Sequence, residues 1–255
     1  MLRILTVAGL FLATASAHAA APELITNGGF EQTTLTNSAQ FTTQVTGWSN
    51  AVTTGYTGYG YNFLIKSGTA DTSGFTSLYN NHDTLWGPSG GVNAANYSNN
   101  GMTAASPTGG NYILADGGSG FRGAISQTVG GLTTGTAYQL TFDWATGQFA
   151  GYSGDTKEAW GVTFGNATQS TETISTVSHG STPWHTATMN FVATSSQQVL
   201  SFLANGTPNG EPPTLLLDNV SLKASTNVPE PASMAVLATG LAAIGFVKRR
   251  RNKAA

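Results

Sequence analysis

The chain has no cysteine among its 255 residues, which excludes disulfide frameworks, thiol nucleophiles and thiolate metal sites. Positive charge is almost as scarce. Between Ala21 and Val228 the only basic residues are Lys66, Arg122, Lys157 and Lys223, set against eleven acids, a net charge of −7. A surface so poor in lysine and arginine has no electrostatic footprint for nucleic acid. Histidine is also sparse. Beyond His18 there are only His82, His179 and His185, and no two of them share one element at metal-ligand spacing. Long apolar runs are missing as well. The two longest, 4–13 and 234–247, fall short of the roughly 20 residues of a full membrane span.

Both of those runs sit at the ends, where they read as targeting segments. Arg3 precedes the apolar stretch 4–13, and Ala17-His18-Ala19 is a small-x-small cleavage site. This pattern marks residues 1–20 as a secretion signal peptide. At the other end, Val228-Pro229-Glu230-Pro231 precedes an apolar Met234 to Val247, and Lys248-Arg249-Arg250-Arg251 follows. Fourteen helical residues extend about 21 Å, a short transmembrane helix against a hydrocarbon core of about 30 Å. The basic cluster is expected to stay cytoplasmic.

The stretch between the two ends is rich in Gly, Thr, Ser and Asn, with 29 glycines in 208 residues. Such a mixture favours many short strands joined by tight turns. Tyr138, Leu140, Phe142 and Trp144 alternate with polar or small residues over 137–144, the period of a strand with one apolar face. Trp160, Val162 and Phe164 repeat the pattern. Residues 198–204 and 214–222 are more continuously apolar, as in central strands covered on both sides. Segments 63–65, 112–115, 125–129 and 184–193 complete the expected strands. No helix is expected before Met234. Asn80 to Gly110 is a long polar loop, a length that usually signals function or disorder.

Two family resemblances follow from these residues. Asn27-Gly28-Gly29-Phe30-Glu31, Gly47-Trp48, Ile125 to Val129, Gly131-Leu132, Gly135-Thr136, Tyr138, Leu140-Thr141-Phe142 and Leu215 to Leu222 occur in an order that resembles the galactose-binding-like jelly roll of many carbohydrate-binding modules. The resemblance implies an all-β jelly-roll sandwich over residues 21–226. The tail, residues 227–255, resembles the PEP-CTERM sorting signal of Gram-negative bacteria. That resemblance implies an exosortase-type processing enzyme as a partner and an inner-membrane-attached intermediate. The final location would be the cell surface or the extracellular matrix, in organisms that make exopolysaccharide and biofilm.

Chemistry is less legible. Gly87-Pro88-Ser89-Gly90-Gly91 matches a nucleophile elbow, but it lacks the preceding strand and following helix that the elbow needs. Gly118 to Gly123 matches a dinucleotide fingerprint, yet it leads into a strand. Asp143, Asp155 and Glu158 are the best acids for a glycosidase pair, although 155–158 also reads as a solvated turn with a local ion pair. In jelly rolls of the resembled kind the terminal strands are neighbours and often hold a structural calcium. Glu31 and Asp218 are its candidate ligands here, because calcium takes carboxylate and carbonyl oxygens. Trp86 lies in the polar loop without periodic partners, near Tyr79 and Tyr97, and is the candidate sugar contact.

The resulting expectation is an exported, non-enzymatic surface or matrix protein that associates with extracellular polysaccharide. Two alternatives stay open: a glycan-active hydrolase on the same sandwich, and a purely structural or adhesive protein.

Overall fold

The computed structural model describes residues 21–53, 58–72, 75–76, 78, 82–87 and 100–225. The signal peptide, the sorting tail, Tyr79 and Tyr97 lie outside the described residues, as does most of the apparent nucleophile elbow. Among the described residues every regular element is a strand, and no helix is long and apolar enough to cross a membrane.

Two sheets face each other. The larger has the order β12 (His185–Val192), β8 (Ala137–Gln148), β14 (Pro213–Ala224), β6 (Tyr112–Asp116), β3 (Asn62–Ile65), β1 (Ala39–Gln40), β4 (Phe75–Thr76), β5 (His82–Asp83). The smaller runs β10 (Ala167–Ser170), β9 (Thr156–Phe164), β13 (Gln198–Thr207), β7 (Ile125–Val129), β2 (Ser49–Asn50), and β11 (Ile174–Thr176) also pairs with β9. Pairing is antiparallel throughout except for β1 with β4. From β6 to β9, and again from β12 to β14, the chain changes sheet at each successive strand. This is the jelly-roll β-sandwich expected from the sequence.

Alternation explains the core. Tyr138, Leu140, Phe142 and Trp144 of β8 meet Trp160, Val162 and Phe164 of β9 and Leu200 and Phe202 of β13 between the sheets. Trp160 is fully buried, and its indole N–H is satisfied by the Leu216 carbonyl at 3.2 Å. The first residues close the sandwich from below. Leu24 donates to the Leu222 carbonyl and Val220 to that of Gly28, both at 3.0 Å. The Glu23 carboxylate accepts the N–H groups of Ile25 (2.9 Å) and Leu222 (2.8 Å). The core therefore runs from Ile25 to Leu222.

A second apolar layer covers the outer face of the large sheet. Phe63, Ile65, Tyr112, Leu114, Ala145 and Leu216 pack there under Ala70, Leu85, Met102 and Phe149. All eight segments expected as strands are present as β3, β6, β7, β8, β9, β12, β13 and β14. One detail differs. β14 is covered on both faces, but β13 alternates, and Val199 is 47% exposed. Its outward residues face solvent because, among the described residues, the second apolar layer lies over the large sheet and not over the smaller one.

Candidate functional site

Trp86 is not the exposed ring expected from its polar neighbourhood. It is 6% exposed, and its Nε1–H donates to the Tyr152 carbonyl at 2.9 Å. Its ring lies 4.2 Å, centroid to centroid, from the His179 imidazole. The Asn100 amide fastens the assembly by donating to the carbonyls of both Trp86 (2.9 Å) and His179 (2.8 Å). Trp86 N–H donates to Gln148 O, and Leu85 bridges to Phe149. A large ring with a single N–H finds both burial and a carbonyl here, so it pins the 82–87 segment to the loops around 149–155 and 177–182. A missed signal was the neighbouring Leu85 and Met102, apolar residues that a purely solvated loop would not need.

The candidate catalytic acids do not converge. Asp143 lies on the outer face of the large sheet, where it accepts from the Thr186 hydroxyl (2.6 Å) and the Asn219 amide (3.1 Å). Asp155 is exposed and accepts from the Ser178 N–H at 2.9 Å. Glu158 points between the sheets and is 0% exposed, so the solvated-turn reading of 155–158 fails: β9 has already begun at Thr156. Thr176 donates to its Oε2 at 2.9 Å, and Thr146 on the opposite sheet lies 2.6 Å from the Thr176 hydroxyl. Burial pushes the Glu158 carboxyl up to about 7, against the pull of the Thr156 and Thr176 hydroxyls.

Glu31 and Asp218 do come together, because residues 24–28 run beside β14. Asp218 is 0% exposed and accepts from Thr108 at 3.2 Å through Oδ2, while its Oδ1 has no hydrogen-bond partner among the described residues. Burial raises its carboxyl to about 6. The Ser106 and Thr108 hydroxyls pull it down, and the Glu31 charge adds to the rise. Glu31 accepts from the Asn111 N–H at 2.6 Å; a Cβ at Gly110, whose φ of 79° already favours glycine, would lie 1.8 Å from Glu31 Oε1 and push that carboxylate aside. Backbone strain flanks both acids: Phe30 has φ 57° and Asn219 φ 53°, a conformation that is a genuine outlier for a bulky residue such as Phe30. The donors are all oxygens, the set a calcium ion takes. Among the described residues no cluster of three or more His or acid side chains forms a metal site.

A different cluster, not anticipated from the sequence, occupies the end of the sandwich where the β6–β7 and β13–β14 loops meet. Gly118 to Gly123 is this first loop, and it leads into the strand β7 and not into the helix that a dinucleotide fingerprint opens. Tyr61 stands edge-on to Phe121 at 5.3 Å, and Tyr59, two residues earlier in the chain, is 39% exposed. Gly60 and Gly123 touch backbone to backbone; a Cβ on Gly60 would lie 2.5 Å from Gly123. Ser119 N–H donates to the Asn209 side chain, whose amide in turn meets the Ser119 hydroxyl, both at 2.9 Å. Arg122 donates from Nη1 to Asn205 Oδ1. Beneath the loop, Asp116 accepts the Gly118 N–H at 2.7 Å. Burial, with some help from the Asp83 charge, raises its carboxyl to about 7 against that hydrogen bond. The result is a patch of aromatic rings, amides and hydroxyls tied together by these hydrogen bonds and close backbone contacts.

Comparison with known proteins places the chain in context. No curated protein matches it. Among solved structures it is similar to TmCBM61 in complex with β-1,4-galactotriose, with a TM-score of 0.43 and 13% identity over 80% of this chain and 100% of that one. It is also similar to the CBM22-1 xylan-binding domain of Xyn10C from Paenibacillus barcinonensis, with a TM-score of 0.38 and 14% identity over 82% and 97%. An arabinose-bound α-L-arabinofuranosidase, MgGH51, gives 0.38 and 13% over 80% of this chain and 26% of that one. The PEP-CTERM protein-sorting motif matches residues 227–251, so the chain carries the sorting tail of an exported protein. A further family model matches residues 59–223, more than half of the sequence. By that match the chain belongs to the family described as protein of unknown function, DUF642.

Proposed function

We propose that this is a non-enzymatic module that associates with extracellular polysaccharide. In this reading it reaches the surface or matrix of a Gram-negative bacterium by exosortase-type processing of its tail. The observation that carries the binding half is the patch at the loop end. A sugar ring offers an apolar C–H face and a rim of hydroxyls. Tyr59 offers an exposed ring, Tyr61 and Phe121 offer half-buried ones, and Asn205, Asn209 and Ser119 offer amides and hydroxyls. Such amphipathic rings bind one side of a sugar while amides bind its rim. The patch is preorganised by its glycine contacts, which lowers the entropy lost on binding.

The hydrolase alternative asks for two carboxylates about 5 to 9.5 Å apart across a cleft. Asp143 on the outer face of the large sheet, Asp155 on the surface and Glu158 enclosed between the sheets form no pair across a cleft, which favours binding over catalysis. Glu31 and Asp218, with the nearby Thr108 hydroxyl and main-chain oxygens, would hold a structural calcium. The ion would relieve the repulsion between the two acids and satisfy the orphaned Asp218 oxygen.

The test is retention of the full chain, in mild detergent, on a panel of immobilised neutral and acidic polysaccharides, with reducing ends assayed in the same wells. Retention without new reducing ends is expected. New reducing ends would favour the hydrolase, and retention on no polymer would overturn the reading in favour of a structural role.

A further inference from the structure

Arg122 is the one arginine between Ala21 and Ser225, and among the described residues no carboxylate forms an ion pair with it. The ion pair present there, Lys223 with Glu23 at 3.8 Å, lies at the far end of β14. The Arg122 guanidinium instead leans on a neutral acceptor, Asn205 Oδ1. Asn205 is itself oriented, since its amide donates to the Leu203 carbonyl at 3.0 Å. We infer that Arg122 makes the loop end selective for sugars that carry an oxyanion, a uronate carboxylate or a sulfate ester. This deepens the polysaccharide reading and rests on it.

The surrounding acids do not quench the charge. Asp116, the nearest in sequence, is buried with its carboxylate turned onto the Gly118 N–H. Glu211 accepts from the Ser153 N–H at 3.0 Å, and Glu158 is enclosed between the sheets. A guanidinium has five N–H donors. One goes to Asn205, which leaves enough for the two-point contact that arginine makes with carboxylates and sulfates. The side chain is half-buried, so the contact is shielded from bulk water. Phe121, next to Arg122 in the chain, and Tyr61 packed on it would supply the sugar-ring contact that a bare anion would not use. The domain's net charge of −7 repels polyanions at long range. Any preference for an acidic polymer must therefore come from a local site and not from bulk attraction.

The full chain in mild detergent would be run against hyaluronan and alginate, each paired with its carboxyl-reduced form, and against dextran sulfate paired with dextran. At least one charged polymer should be retained about tenfold more strongly than its neutral counterpart, the effect of one charge-assisted contact. The arm that responds identifies carboxylate or sulfate. Arg122→Gln keeps a donor for Asn205 and should abolish the difference; Arg122→Lys keeps the charge without the fork and should retain part of it. Equal retention of charged and neutral forms would overturn the arginine's role and leave the polysaccharide reading standing. So would a preference that survives in a folded Arg122→Gln variant. Retention of no polymer would sink both. Should the glutamine variant fail to fold, the charged-against-neutral comparison on the native chain and the lysine variant still decide.

Discussion

The indole of Trp86 and the imidazole of His179 lie 4.2 Å apart, tilted by 36°, although 93 positions separate them in the sequence. The contact ties the segment over the large sheet to the loop between β11 and β12. Trp86 belongs to the packing of the loop and not to its surface. Trp86→Ala should cost roughly 3 to 5 kcal/mol, as buried large-to-small changes do. His179→Ala should cost less, because His179 is only half-buried. Chemical denaturation of both variants checks this; a loss under about 0.5 kcal/mol for Trp86→Ala would mean an exposed ring.

Asp116 and Glu158 give the domain an unusual pH profile. Both carboxyls are raised to about 7 from ordinary values of 3.8 and 4.5. The folded state therefore holds their protons where the unfolded chain has released them. Their stabilising contribution is complete below about pH 4 and is lost as pH rises to about 7, at roughly 1.4 kcal/mol per pH unit for each group. Without calcium, Asp218 adds in the same sense up to about 6. Melting temperatures measured in EDTA should fall from pH 4.5 to 7.5, and Asp116→Asn with Glu158→Gln should flatten that slope. A slope that rises across the same window would contradict the buried, protonated acids.

What was legible in the sequence follows from how each residue is fixed. Strands with an alternating or continuous apolar pattern, such as β8 and β14, are specified locally, and their edges were misjudged by a few residues at most. β10 and β11 escaped notice because Ala167 to Ser170 is polar and Ile174 to Thr176 is short; both are held by pairing with β9 rather than by a pattern of their own. The closeness of Glu31 and Asp218 came from resemblance, since 187 positions separate them. The burial of Trp86 and Glu158 was hidden for the same reason. Each depends on partners distant in sequence, Tyr152 and His179 for one, Thr176 and Thr146 for the other. Of the loop-end patch only the Gly118 to Gly123 run was visible in the sequence, because the pairing of Tyr61 with Phe121 and of Arg122 with Asn205 is made by topology.

The sorting tail should act after export. Replacing Pro229-Glu230-Pro231 by three alanines leaves the signal peptide untouched, so the chain should still leave the cytoplasm. It should then accumulate as a longer, membrane-associated species. Mass spectrometry of the native product reads the same step, and a mature chain that still ends at Ala255 would make the tail a plain anchor.

Calcium, if it sits between Glu31 and Asp218, reverses an energetic liability. Without it, the buried Asp218 Oδ1 has no hydrogen-bond partner among the described residues, and the nearby Glu31 charge opposes ionisation of Asp218. With it, both carboxylates gain a counter-charge, and the strained backbone at Phe30 and Asn219 is offset by metal–oxygen bonds. A ligand that binds only the folded state stabilises it by about 2.7 kcal/mol at a hundredfold excess over its Kd. The native chain should therefore melt several degrees higher in millimolar calcium than in EDTA. Asp218→Asn removes one formal charge from the donor set with little change of shape. It should lose the calcium response, and it should melt no lower than the native chain in EDTA, because an amide has no buried charge to accommodate. Equal melting temperatures for the native chain in EDTA and in calcium would discard the metal, leaving Asp218 as a buried carboxyl held by Thr108.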